Sequence, residues 1–271
     1  MKVEFVPTWA ALKTRVAELK LETREYSKAT RGTNQSKLLF RGQGSSEWGL
    51  KTSFDRATPK SHWLADYYQM VVAAKTVTDS LWESDLSELN LDLIHSVFRE
   101  SVFFPKPLPY YDVLVRLRHH GFPSPLLDWS RSFYVASYFS FEQPQPQDVD
   151  RSVAIFIYQE FTGTPKTHLD GEPQLVSFGP WVRTHARHVL QQSQYTIAIQ
   201  RESSCWKIVP HQDVFAVESK SQDRLIKLVV PSSEAFSAME ELDEMNINAY
   251  SLFQTEDSLY RTLGRRIFSD A

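Results

Sequence analysis

Four short segments of this chain carry side chains whose types and spacing could do chemistry. Phe40-Arg41-Gly42-Gln43 sets an arginine at the end of an apolar run, where a core residue belongs. A guanidinium there needs an anion or carbonyls, because its charge is costly to bury unpaired. Two readings stay open for Arg41: a salt bridge to Asp128, Glu47 or another carboxylate, or a fork that grips a ligand phosphate or carboxylate. Arg118-His119-His120-Gly121 places two imidazoles just before a helix-ending glycine, where the helix dipole favours a charged ring. They can cap the helix or line a pocket. Leu126-Leu127-Asp128-Trp129-Ser130 sets a carboxylate inside an apolar strand, and a part-buried Asp needs donors from Ser130, backbone amides or Arg41. Gln191-Gln192-Ser193-Gln194 leads into a strand, and its amides either read a ligand's edge or are solvated.

Several familiar constellations are absent from the sequence. There is no Walker loop, no paired-glycine dinucleotide fingerprint and no His-Glu-x-x-His. No Gly-x-Ser-x-Gly elbow is present either. His185 and His188 are three residues apart and share a helix face if helical, but no further ligands can be placed beside them. They read as solvated side chains near Arg183 and Arg187, and no metal is expected. The Trp48 and Trp129 indoles read as core.

The elements that must position these groups are set by periodicity. Trp9, Leu12, Val16 and Leu19 at helical spacing predict an amphipathic helix over 8–28. A turn-rich loop at 31–36 leads to a buried strand over 37–41, and Gly42 and Gly44 let a backbone or ligand come close to its end. Helices are expected over 61–83, 86–103 and 110–120, the last ended by Gly121. A strand at 126–129 precedes a helix capped by Ser130 and carrying Phe133, Val135, Ala136 and Phe139. Residues 143–147 read as a loop, 152–158 as a strand, and 160–180 as irregular. Two further strands, 195–199 and 225–230, and two helices, 232–245 and 255–268, complete the chain. Helices crowd the first half and strands the second, which argues for an α+β fold with a mostly antiparallel sheet from the second half.

The bulk numbers exclude several classes. The 271 residues are 42% hydrophobic, ample for a packed core. A formal charge of -3 offers no global positive field to hold a nucleic-acid backbone, although a local basic patch remains open. Cys205 is the only cysteine, so neither an intrachain disulfide nor a cysteine-rich zinc cluster can form, which fits a reducing compartment. No basic region precedes an apolar run at the N-terminus, and no apolar stretch is long enough to span a bilayer. A cytoplasmic location without membrane partners is expected.

Taken in order, the segments resemble the FRG domain family, named for a Phe/Tyr-Arg-Gly motif. Phe40-Arg41-Gly42-Gln43 matches the name motif, and Trp48 and Leu50 match the residues usual just after it. His119-His120-Gly121-Phe122-Pro123 through Leu126-Leu127-Asp128-Trp129-Ser130 is similar to the family's His-Tyr-Gly-x-Pro-Thr-Arg-Leu-Leu-Asp-Trp-Thr block. Val135 to Phe139, Gln191 to Thr196 and Asn246 to Phe253 resemble later segments of the same family. Ser124-Pro125 stands where the family has Thr-Arg, His120 replaces a Tyr, and Ser193 replaces a Gly. The resemblance implies a domain over 37–271, with 1–36 as an N-terminal helix and loop packing on it.

The motif order is also similar, more distantly, to that of ADP-ribosyltransferases. That resemblance implies NAD as a substrate, and a transferase or NAD glycohydrolase acting as a toxin or antiphage effector. Catalytic roles would fall to Arg41, His120, Asp128 and Gln192. The ligand would be held by Arg41, Gly42, Gln43, His119, Ser130, Tyr138 and Gln191. Arg41 would clamp the pyrophosphate, and Tyr138 would stack on nicotinamide if it is not simply core. The acceptor, protein or nucleic acid, is left open. A non-catalytic module for a nucleotide or phosphorylated partner uses the same residues without turnover. A nuclease with His119 or His120 as general base beside Asp128 is the third reading.

Overall fold

The computed structural model describes residues 1–29, 37–58, 60–81, 89–100, 104, 108–142, 151–160, 171–182, 184–215 and 223–268. Its first element is one the sequence pattern does not show. Lys2–Phe5 forms β1, an edge strand whose side chains are mostly exposed, so no apolar alternation marks it. Helix α1 spans Trp9–Ala29, with the Thr8 hydroxyl accepting from the Ala11 amide at 3.1 Å. Trp9, Leu12, Val16 and Leu19 are all buried, as their spacing predicts.

The apolar run near residue 40 becomes β2, Leu39–Gln43. A reciprocal capping box between Thr52 and Asp55 starts an unexpected short helix, α2 (Ser53–Ala57). The helix expected from Ser61 begins later, because His62–Trp63 forms β3 and α3 takes Leu64–Leu81. Helix α4 (Leu91–Glu100) lies within the expected 86–103, whose ends fall partly outside the described residues. Helix α5 (Tyr111–His119) stops where expected, with Gly121 at φ +87° in the left-handed region.

Strand β4 (Leu127–Ser130) leads into α6 (Phe133–Phe141). Ser130 is not the cap of α6, since Ser132 accepts from the Val135 amide at 3.4 Å instead. The Ser130 hydroxyl accepts from the Ser132 amide and donates to the Gln191 carbonyl at 2.8 Å. It therefore ties the β4 end to a later turn. Strand β5 covers Ser152–Gln159, and β6 (Pro173–Phe178) is a strand within a stretch whose Gly and Pro content predicts irregular chain. The loop expected at 143–147 lies outside the described residues. Then come α7 (Ala186–Leu190), β7 (Ser193–Glu202), β8 (Cys205–Ile208) and β9 (Arg224–Pro231). A 3-10 turn at Ser232–Glu234 precedes α8 (Ala235–Glu244), and the chain ends on α9 (Ala249–Phe253) and α10 (Glu256–Phe268).

The fold is α+β, with a sheet of nine strands among the described residues in the order β1-β9-β5-β2-β4-β7-β8-β3 and β6 paired to β7 off this path. Among the described residues every pairing is antiparallel except β1 with β9. The second half supplies most strands, but β2 and β4 from the first half lie at the middle of the sheet. Residues 2–29 add the edge strand and several core side chains.

The decisive feature is how weakly β2 and β4 pair. β2 runs along β5 over five positions, from Leu39↔Tyr158 to Gln43↔Ala154. β4 runs along β7 over four, from Leu127↔Thr196 to Ser130↔Ser193. Between β2 and β4 only Phe40↔Ser130 is in register. Past that pair the strands part, and the sheet opens. Each half keeps a core of its own, and a third core joins them, with Leu39, Phe156 and Tyr158 packed together with Leu127, Trp129 and Ala198. On one side Trp9, Phe40, Phe133, Ile155 and Leu228 pack together, and on the other Tyr67, Leu114, Tyr195 and Ile197 do.

Gly42 is required by the first of these halves. α6 crosses β2 so closely that a Cβ on Gly42 would overlap the Ala136 carbonyl oxygen and stand 2.5 Å from Ser140 Oγ. Backbone, not a flexible side chain, would have to move. Gly42→Ala is expected to cost about 3 kcal/mol of unfolding free energy, read from urea melts. A loss within about 0.5 kcal/mol, the range of an ordinary surface substitution, would show that α6 does not pack there.

Candidate functional site

The gap between β2 and β4 is the mouth of a cavity of about 1100 Å³. That volume lies at the upper end of small-molecule sites. β2 contributes Arg41, Gly42 and Gln43 to its walls, and β4 contributes Asp128, Trp129 and Ser130.

Arg41 spans the gap. Its Nη1 donates to the backbone carbonyl of Asp128 at 2.8 Å, and this is the side chain's one hydrogen bond among the described residues. Its Nε is buried without a partner. Burial pushes the guanidinium down to about 10, against the pull of Asp128, while Arg118 and Arg56 push the same way as burial. Arg41 is thus a cation with no carboxylate of its own.

The Asp128 carboxylate belongs to Arg118, which reaches across from the last turn of α5. Its Nε and Nη2 take the two carboxylate oxygens as a bidentate fork. Its Nη1 goes to Ser53 Oγ at 3.1 Å. The Asp128 side chain keeps 42% of its surface, on the cavity side, and Arg118 keeps 12%. Burial opposes ionisation of Asp128, but the charge and hydrogen bonds of Arg118, and then the charge of Arg41, hold it below its usual value. Burial likewise opposes the charge on Arg118, and Asp128 more than restores it.

The rest of the wall is electropositive. Arg41, Lys51, Arg56, Arg118 and Arg187 face it, against Glu47, Asp128 and Glu142. Asp128 is taken by Arg118, and Glu142 is bound by Arg261 from outside the wall. Arg41, Lys51, Arg56 and Arg187 therefore stand without a paired carboxylate among the described residues, and Glu47 is the carboxylate left over.

The structure brings together seven of the residues named from sequence: Arg41, Gly42, Gln43, His119, Asp128, Ser130 and Gln191. Gln43 lies buried, its Nε2 donating to the Gly49 carbonyl at 3.2 Å and its Oε1 without a partner. Gln191 borders the cavity, but its Nε2 already donates to the Leu252 carbonyl at 3.2 Å. Three residues fall outside. His120 caps α5 at the exposed surface, its ring edge-on to His185. Gln192 is exposed in a left-handed turn at φ +51°, where its carbonyl accepts from the Arg131 amide. Tyr138 is buried on α6, its hydroxyl donating to Glu142 Oε1 at 2.9 Å, beside a second cavity that also touches Asn248 and Arg265.

Two tryptophans divide. Trp129 is core, with its Nε1 on Thr196 Oγ1 at 2.8 Å. Trp48 is 51% exposed on the cavity wall, contrary to the expectation of a core role. The reading of His188 as solvated is overturned as well. Its ring is buried, with Nε2 on the Pro180 carbonyl at 2.8 Å and Nδ1 3.2 Å from the Tyr195 hydroxyl. His119 Nε2 meets the same hydroxyl at 2.9 Å. His185 is exposed, and Arg183 lies outside the described residues. Among the described residues no group of three His, Cys, Asp or Glu side chains is placed to hold a metal.

Residues 36–149 match the model of the FRG domain. The chain carries an FRG domain. Its span holds β2, α5, β4 and α6, so Arg41, Arg118 and Asp128 are all FRG-domain residues. The wall formed by Gln191 and Phe253 lies beyond the matched stretch. No curated protein and no solved structure matches the chain. Sequence reasoning missed Arg118, although one signal pointed to it. A part-buried Asp128 needs donors, and Arg118 stands ten residues before it at the end of the expected helix.

A double-mutant cycle measures that pairing. Arg118→Met is expected to cost about 1.5–3 kcal/mol by stranding Asp128. Asp128→Asn in the same chain should restore part of it, with a coupling energy above about 1 kcal/mol. Additive effects of the two changes would show that the pair does not form in solution.

Proposed function

We propose that the cleft binds a nucleotide through its pyrophosphate, with NAD and ADP-ribose as the ligands its chemistry fits best. The observation that carries this reading is Arg41. A walled-in guanidinium with one carbonyl contact and no carboxylate partner is a standing site for an anion. Lys51, Arg56 and Arg187 extend the positive wall. The exposed face of Trp48 on the same wall offers a surface on which a base can stack.

Turnover is a second reading, and the Glu47 carboxylate favours it. Cleaving the bond between nicotinamide and ribose builds positive charge on the ribose, which a nearby carboxylate stabilises. Gln192 lies off the wall and Asp128 is taken by Arg118, so Glu47 is the remaining carboxylate for an NAD glycohydrolase or ADP-ribosyltransferase. The surplus of cations works against such a transition state, which ranks binding ahead of cleavage.

Calorimetric titration with ADP-ribose and NAD tests the reading. Saturable binding is expected to weaken about 10- to 100-fold in Arg41→Ala, the loss of a charge-assisted contact, and to be unchanged in Gln192→Ala. Nicotinamide released from labelled NAD, and lost in Glu47→Gln, would favour the enzymatic form. No binding of either nucleotide, or equal affinity in Arg41→Ala, would overturn the proposal.

A further inference from the structure

We propose that His119 is a hydrogen-bond acceptor in this cleft, held in one tautomer by Tyr195 and His188, and that it takes a hydroxyl of a ribose phosphate anchored on Arg41. The identity of the ligand rests on the nucleotide reading, but the tautomer stands on geometry alone.

Cross-strand register sets the stage. Asp128 on β4 lies directly opposite Tyr195 on β7. Consecutive residues of α5 answer the two members of that pair, Arg118 taking Asp128 and His119 taking Tyr195. The proton positions are then fixed by elimination from the far end. The Pro180 carbonyl can only accept, so His188 Nε2 is the donor in their 2.8 Å contact. A neutral His188 ring then carries its lone pair on Nδ1, which accepts from the Tyr195 hydroxyl at 3.2 Å. Tyr195 has one proton, and His188 receives it. The Tyr195 oxygen must accept from His119, so His119 Nε2 is the donor across 2.9 Å. The lone pair of His119 is left on Nδ1. That atom has no hydrogen-bond partner among the described residues, and the ring borders the cavity.

The assignment is that of the neutral His188 ring, which is buried with a carbonyl on Nε2 and a phenol hydroxyl at Nδ1. The ring also stacks on Tyr195, with centroids 5.7 Å apart and planes 16° from parallel, which fixes both side chains as one unit. His119 itself is kept neutral by its surroundings. Burial pushes it down to about 4, Asp128 opposes this, and Arg118, His188 and His185 add to it. An acceptor nitrogen on a wall that also carries Arg41, Lys51 and Arg56 gives the cleft two kinds of contact. A bare anion uses only the cations. A ribose phosphate supplies both the anion for Arg41 and an O–H for His119.

Nitrogen-15 NMR of histidine rings at pH 7, with ADP-ribose and inorganic pyrophosphate as paired probes, tests the proposal. His119 is expected in the Nε2–H form with an unprotonated Nδ1, and His188 likewise. Tyr195→Phe, which removes one oxygen, should release His119 into a mixture of tautomers. The same variant should weaken ADP-ribose about tenfold while leaving pyrophosphate unchanged, the loss of one hydrogen bond. An Nδ1–H form of His119 in the unaltered protein would overturn the relay. Equal weakening of both probes would overturn the hydroxyl contact. If neither probe binds, the nucleotide reading and the ribose assignment fall together, while the ring spectra still decide the relay.

Discussion

Asp128 is held twice, by two arginines that use different parts of it. Arg41 binds its backbone carbonyl from β2, and Arg118 binds its carboxylate from α5. The Arg41 contact stands where ladder hydrogen bonds between β2 and β4 would otherwise be, since only Phe40↔Ser130 pairs the two strands. A sheet that opens at its centre exposes backbone carbonyls, and unpaired carbonyls are costly unless something donates to them. Arg41 meets that need for Asp128. The opening, the cavity and the concentration of charge are therefore one feature seen from three sides.

The surrounding structure keeps the gap open without letting the halves drift. α6 sits on Gly42 and fixes β2 to the first core. Ser130 ties the end of β4 to the turn at Gln191, and the Tyr195 hydroxyl gathers His119 and His188 on the second core. With Asp128 neutralised by Arg118, the positive wall is left with little to balance it. On the proposed reading this surplus would hold an anion, with the acceptor at His119 and the exposed Trp48 meeting the sugar and ring of the same ligand.

Much of this was legible in the sequence. The spacing of Trp9, Leu12, Val16 and Leu19 marked α1, and the glycine after α5 marked its end. Arg41 stood out because a charge at the end of an apolar strand has to be explained. What stayed hidden depends on contacts distant in sequence. Arg118 pairs with Asp128 only once α5 lies beside β4, and His119 meets Tyr195 only through the register of β4 and β7. Gln192 looked like Gln191, but its left-handed backbone turns it away from the wall. Short elements such as β8 and α7, of four and five residues, are below the length at which periodicity speaks.

What occupies the space in front of Arg41 decides the rest. A crystal structure of the chain grown with ADP-ribose addresses this most directly. Pyrophosphate oxygens are expected within hydrogen-bond distance of the Arg41 guanidinium, with the Arg118–Asp128 pair still closed behind it. A nucleotide bound elsewhere on the molecule, with Arg41 turned onto a protein carboxylate, would contradict the anion-clamp role of Arg41.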